Sequence, residues 1–324
     1  MEVESESTTL PNWLDLPRDL TANILQRLGA FEILTGACGV CAMWWNICKD
    51  PLMWRSIHIR GYVPLFDRFI FGKFSHYGYD EEEMVKICCN AIERSCHHLE
   101  DIDIEGFGND DILNCISNKY SVFLIIPKIL FLNIYIFFWY NVLLFLSGIF
   151  LIVCLFKFYS GSHLRSMRFA DCYEISDEGF SEVARKVPLL EKLDITGTKI
   201  TAVSIAVLGR SCPLLKSLKL EFSGGLPDFW PCDDLALVIA DTMTNLRHLD
   251  IDGDNLTNVG LLAILDKCPF LESLRLERCL YLKLSESLEK RCIDQINHLQ
   301  LPCPHDADGN DFEEGYDILY PWSF

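Results

Sequence analysis

One pattern, leucine-x-x-leucine-x-leucine, returns along the chain at nearly constant spacing and restricts its fold more than any other feature. Copies begin at Leu99, Leu164, Leu190, Leu215, Leu246 and Leu271, with a degenerate copy at Ile296–Leu301. From Leu164 onward the first apolar residues are 26, 25, 31, 25 and 25 residues apart. Alternation such as Leu218-Lys219-Leu220 has the period of two expected of a short strand with one buried face. Wider spacing follows each strand, as in Ala202, Ile205, Ala206 and Leu208 or Val259, Leu261, Leu262, Ile264 and Leu265, and predicts helices with Thr201 and Thr257 as N-caps. A unit of about 25 residues with one strand and one helix cannot bury its apolar face alone, so neighbours must stack.

The expected fold class is therefore α/β: a curved, horseshoe-shaped leucine-rich-repeat solenoid of about seven strand-helix repeats. Its first repeat unit lies in 80–118 and the remainder in 159–301. Residues between the leucines face outward along the concave strand surface, and their mixed polarity suits protein recognition. Lys192, Asp194, Lys219, His248, Asp250 and Arg275 are the candidate substrate contacts there. The plainer reading, solvated strand positions, stays open for each. The 31-residue step holds a rim loop with Phe229 and Trp230 between Gly and Pro residues. Trp230 is either a partner-binding tip or tucked back on the solenoid.

Ahead of the repeats, Leu16, Leu20, Ile24 and Leu28 fall on one face of a helix with Pro17 in its first turn, and Gly29 is expected to end it. A second apolar segment runs from Phe31 through Leu34, Val40, Trp44 and Ile47, and Asp50-Pro51-Leu52-Met53-Trp54 closes the block. The succession L-P, I-L-x-x-L, V-C-x-x-W and D-P-x-x-W resembles the F-box, which would occupy 12–58. Joined to repeats of the form C-P-x-L-x-x-L-x-L, it resembles the plant F-box/leucine-rich-repeat family of Skp-interacting proteins. One departure is Ala42-Met43-Trp44-Trp45, where that family usually carries basic residues beside the first tryptophan. The resemblance implies a non-catalytic subunit of a ubiquitin ligase, docked on the Skp adaptor and through it on a cullin. It carries adaptor contacts over to Leu16, Pro17, Ile24, Leu25, Val40 and Trp44. Trp54 is expected to pack this block onto the first repeat.

The step from Leu99 to Leu164 is 65 residues, one repeat plus about forty that do not belong to the ruler. Residues 119–158 lack any acidic residue and hold eight of the chain's 21 phenylalanines. From 129 to 156 no residue is charged, long enough for a membrane span of ~20 residues. Topology opposes that reading, because Leu99 and Leu164 open adjacent repeats, and a single span would part them. Phe, Leu, Ile, Tyr, Asn and Lys supply 31 of the forty residues, all with codons rich in T and A, as in a translated intron. A membrane-tethered repeat scaffold and a non-functional product of intron retention are the alternatives to the ligase reading.

The net charge of −18 disfavours nucleic acid as a partner, since binding needs clustered Lys and Arg against phosphate. A membrane is disfavoured despite 129–156, leaving an unidentified protein substrate. Fifteen cysteines in a chain that opens without a secretory signal read as small buried thiols, Cys96, Cys212 and Cys268 among them at one repeat position. Cys38 and Cys41 have C-x-x-C spacing without a second pair, so neither metal nor cofactor is expected. Residues 1–11 and 302–324 read as disordered acidic tails, with Tyr316, Tyr320 and Trp322 as candidate covers for the last repeat. The expected compartment is nucleus and cytoplasm.

Overall fold

The computed structural model describes residues 16–61, 80–118, 163–221, 232–253, 255–279 and 281–302. The tail 1–11, the apolar stretch 119–158 with its segment 129–156, the rim loop carrying Trp230 and the tail beyond 302 lie outside the described residues. Among the described residues no helix is long and apolar enough to cross a membrane.

Short helices build the head: α1 (Arg18–Leu25), α2 (Ala30–Thr35), a 3-10 turn at Ala37–Gly39, α3 (Ala42–Ile47) and a second 3-10 turn at Pro51–Trp54. Pro17 is the N-cap of α1, where its missing N–H costs no helical bond. Gly29 does not end α1 as expected. The helix closes at Leu25, and Gly29 is the extended N-cap of α2 at φ −68 and ψ 160, far from the left-handed geometry of a terminating glycine. Trp54 is fully buried, its indole Nε1 donating to the Cys48 carbonyl at 3.0 Å. The Arg94 guanidinium of the first repeat lies 5.6 Å from its ring centroid, so Trp54 does join the head to the solenoid.

Among the described residues, eight parallel strands follow in one open sheet, ordered as they occur in the chain. They are β1 (Ser56–Arg60), β2 (Asp101–Glu105), β3 (Ser166–Ala170), β4 (Lys192–Thr196), β5 (Ser217–Glu221), β6 (His248–Asp252), β7 (Ser273–Glu277) and β8 (His298–Gln300). Parallel neighbours require crossovers. Among the described residues these run through α4 (Glu81–Arg94), α5 (110–118), α6 (Asp177–Ala184), α7 (Ala202–Ser211), α8 (Asp234–Thr242), α9 (Asn258–Lys267) and α10 (Glu286–Gln295). The seven sequence copies each supply a strand, and β1 adds an eighth that the leucine pattern did not announce. Its alternation, with Ile57 and Ile59 inward, pairs in register with Ile102 and Ile104. β2 and β3 are direct neighbours, Asp101 opposite Ser166, although 65 residues part Leu99 from Leu164. The sheet thus continues in register from β2 to β3.

A repeated polar staple sets the stacking. Asp110 accepts from the backbone N–H and hydroxyl of Ser176 at 2.9 and 2.6 Å. Asp177 holds Thr201 in the same way, at 2.9 and 2.7 Å, and Asp233 holds Thr257, at 2.8 and 2.6 Å. Ser176, Thr201 and Thr257 are the N-caps of α6, α7 and α9, each accepting a helical N–H while donating to the carboxylate behind it. The carboxylate needs room: a Cβ at Gly179 or Gly260 would lie 2.5 Å from an oxygen of Asp110 or Asp233. At the equivalent place in α7, Ser204 donates its hydroxyl to Asp177 at 2.5 Å instead. Burial alone would raise the Asp177 carboxyl, but hydrogen bonds from Ser204 and Thr201 hold it below its ordinary value.

Cysteine usage departs from expectation in two places. Cys212 and Cys268 are buried repeat thiols, pushed up by burial to about 12 and about 11. Cys96 is exposed, because it sits in a left-handed turn at φ 45 beyond α4. Cys89 and Cys115 are joined as a disulfide.

Candidate functional site

Two surfaces are the candidates for recognition. On the head, the apolar stripe that runs along α1 and into the turn after it faces solvent rather than the core. Leu20, Ile24 and Leu28 are 52%, 39% and 40% exposed, while Thr21 and Leu25 supply the buried side. Val40 at 58% and Leu52 at 51% extend the exposed apolar set. Of the expected adaptor contacts, Pro17, Ile24 and Val40 are exposed, and Leu16 and Trp44 are half-buried. Leu25 is corrected to a core residue: it is completely enclosed and supports this face from beneath. The sequence reading passed over Trp45, which is partly exposed with Lys49 Nζ 4.9 Å and the Arg94 guanidinium 5.2 Å from its ring. Basic groups thus stand beside the second tryptophan, reached from α4 and from the end of α3, although none flanks the first in sequence.

The other surface is the outward face of the sheet. Register lines its residues into rows across the strands, and the middle row alternates in sign: His58, Asp103, Arg168, Asp194, Lys219, Asp250, Arg275, then Gln300. Opposite charges on adjacent strands satisfy one another at the ~4.8 Å strand spacing. Lys219, Asp250 and Arg275 are thereby brought together on β5, β6 and β7. Asp194 joins the neighbouring Arg168 group, its Oδ2 3.5 Å from Nε. Lys192 and His248 stand one row away, each half-buried. Burial lowers the Lys192 ammonium below its ordinary value.

The two halves of the row differ in how fully they are paired. Arg168 Nη1 donates to Asp103 at 2.7 Å and to Glu105 at 3.0 Å. His58 lies between Asp101 at 3.1 Å and Asp103 at 3.6 Å, and these two carboxylates push its imidazole up to about 9. Burial would raise the Asp103 carboxyl, yet the His58 and Arg168 hydrogen bonds hold it below its ordinary value. Farther along, Asp250 has one ion pair, Oδ2 to Arg275 Nη1 at 3.2 Å. Its Oδ1 is buried with no partner among the described residues, and burial pushes its carboxyl up.

Ser56 Oγ lies 2.5 Å from His58 Nε2, with Asp103 on the other ring nitrogen, an arrangement resembling a nucleophile with its base. An imidazole held at about 9 stays protonated near neutrality and has no lone pair to accept the Ser56 proton. The cluster acts as a clamp between β1 and β2. Sequence reasoning missed His58, Arg60 and Arg278, the last in a left-handed turn and bidentate to Asp252 at 2.6 Å. The first two belong to the unannounced strand, and Arg278 lies one residue beyond β7.

Comparison with known proteins agrees with this architecture. A family model described as F-box-like matches residues 13–60. In Arabidopsis thaliana, F-box/LRR-repeat protein 23 is 37% identical over 92% of this chain, which spans 55% of that relative's length. F-box protein SKIP19 is 36% identical over 98% of the chain and 86% of its own length. F-box/LRR-repeat protein 9 is 34% identical over 86% of the chain and 92% of its own. A head of this kind, joined to a stack of parallel strands and crossover helices and matched along nearly its whole length by such relatives, places the chain in the plant F-box/leucine-rich-repeat family.

Proposed function

We propose that the chain is the substrate-recognition subunit of a Skp-cullin-F-box ubiquitin ligase, working in nucleus and cytoplasm. Its head docks the Skp adaptor, and through it a cullin, while the concave sheet holds a target protein. It acts by proximity: the ligase supplies the bond chemistry, and this chain sets which lysine comes near. The observation that carries the reading is the outward apolar stripe of α1. A head of under 50 residues that turns Leu20, Ile24 and Leu28 to solvent is built to be covered. A standard interface of ~1,200–2,000 Å² would enclose them.

The test is co-purification with a recombinant plant Skp adaptor. Replacing Leu20 and Ile24 with Asp is expected to weaken binding by roughly 100-fold or more, as for two central apolar contacts. The Leu25→Ala variant should instead lower the melting temperature of the head. Full adaptor binding after Leu16, Ile24 and Trp44 are all replaced by Ala would sink the assigned face.

A further inference from the structure

We infer that Cys89 and Cys115 form a reversible redox pair that locks the first two convex helices together when oxidised. They are 26 residues apart, one repeat of the ruler, so solenoid stacking carries one position onto the other. The Cα atoms are 5.8 Å apart, within the range that a disulfide spans without backbone movement. Neighbouring thiols are excluded from such chemistry by burial. Cys88, the adjacent residue, points into the core and is strongly raised, and Cys172 is pushed up to about 12 by the same cause. Cys89 and Cys115 are half-buried and therefore open to small thiols. The reduced state also has a place in the structure: Cys89 Sγ lies 3.9 Å from the Asp111 carbonyl, which can accept from its thiol.

The location gives the bond a mechanical consequence. α4 packs against α2, the Pro51–Trp54 turn and β1, and its Arg94 reaches Trp45, Trp54 and the Cys38 thiol, at 3.7 Å from the last. α4 is thus the bar on which the head rests. Fixing it to α5 stiffens the seat that joins the docking face to the concave sheet. The oxidant is a small disulfide, glutathione disulfide. One protein thiolate attacks it and releases a glutathione thiolate, and the second protein thiolate attacks the resulting mixed disulfide and expels the other glutathione. Two electrons pass to glutathione disulfide, and the two thiol protons end on the two glutathiones. In compartments kept reducing by glutathione, an accessible disulfide that stands alone among the described cysteines is a sensing rather than a scaffolding bond.

The experiment equilibrates the full chain across a series of reduced-to-oxidised glutathione ratios, quenches by alkylation and maps peptides without reduction. The expected result is a Cys89–Cys115 linked peptide that appears at oxidising ratios and disappears at reducing ones. It should be accompanied by a rise of about 5 °C in the melting midpoint. Both changes vanish in Cys89→Ser and in Cys115→Ser and persist in Cys96→Ser. Three results would overturn the proposal: both thiols alkylating at the most oxidising ratio, each carrying its own glutathione without linking, or a linked peptide that folded protein never surrenders to reduced glutathione.

Discussion

The concave sheet is one surface with one register, yet its two halves treat charge differently. From β1 to β4, every middle-row charge has a partner on a neighbouring strand, and Arg168 alone touches Asp103, Glu105 and Asp194. From β5 to β7, among the described residues, Asp250 keeps a buried oxygen without a partner, and the one ion pair of Lys219 is with Glu221, at 3.7 Å. A fully satisfied network holds its shape, and a partly satisfied one retains a demand for donors. The difference teaches that the first half is a joint, fastening the helical head to the repeats through His58 and Arg60. The second half keeps polar groups that the described residues leave incompletely paired, which is the half the proposed function assigns to a target protein.

The largest expected effect tests the joint. Replacing Arg168 with Ala removes the nearest cation from three carboxylates whose side chains are only 12%, 16% and 15% exposed, leaving Asp103 and Glu105 to the longer contacts of His58 and Arg60. The loss should be on the order of 2 kcal/mol, below the ~3–5 kcal/mol of a fully buried pair because Arg168 itself is 32% exposed. Arg275→Ala, at a residue 41% exposed, should cost under about 1 kcal/mol. Urea unfolding of both variants compares the halves directly, and equal losses would erase the distinction.

Much of this architecture was legible because the leucine ruler reports burial directly: Leu99, Leu164, Leu190, Leu215, Leu246 and Leu271 are all enclosed. The eighth strand was hidden by chemistry. Trp54, Ile57 and Ile59 have the same spacing as Leu99, Ile102 and Ile104, with tryptophan in the first leucine's place, and the motif falls inside the F-box resemblance. Trp54 therefore closes one domain and opens the next. On the head, spacing found the stripe of Leu20, Ile24 and Leu28 but not its direction, since periodicity alone does not say which face a partner covers. The pairing of the concave charges was less accessible still. Asp103 and Arg168 meet across 65 residues, most of them foreign to the ruler, so their contact follows from strand order and not from local sequence.

A sharper comparison sets equivalent carboxylates against each other. Asp103→Asn removes the charge that faces both His58 and Arg168 and turns one of its two acceptor oxygens into a donor, and should lower stability at pH 7 by about 1–2 kcal/mol. Asp250→Asn discharges a group that burial disfavours, so its effect should lie within about 0.5 kcal/mol of zero, or be stabilising. Acid widens the contrast. The folded-state value of Asp103 is depressed, so its contribution is present above the ordinary carboxylate range and fades as pH falls through the folded value. Asp250 is raised, and its burdened charge is relieved as pH falls through that raised value. Unfolding curves between pH 3 and 7 should therefore converge for Asp103→Asn and wild type, while the difference between Asp250→Asn and wild type moves in the other direction.

The smallest expected effect lies at the alkaline side of the joint. His58 is raised in the fold to about 9, by its hydrogen bonds to Asp101 and then Asp103. A raised value means that the folded state holds the proton more tightly, so the clamp's contribution is complete below the ordinary histidine range near 6.5. It declines as pH rises from there and is gone once the folded value near 9 is passed. His58 is 51% exposed, so solvent screening keeps the change modest, and raised salt should shrink it further. The measurement is the difference in melting midpoint between wild type and His58→Gln from pH 6 to 9.5. It should narrow steadily with pH if the imidazolium holds β1 to β2. A gap that stays constant would mean that His58 contributes by packing alone, and that Arg60, with Asp103 at 3.8 Å and Glu105 at 3.7 Å, carries the electrostatic part of the joint.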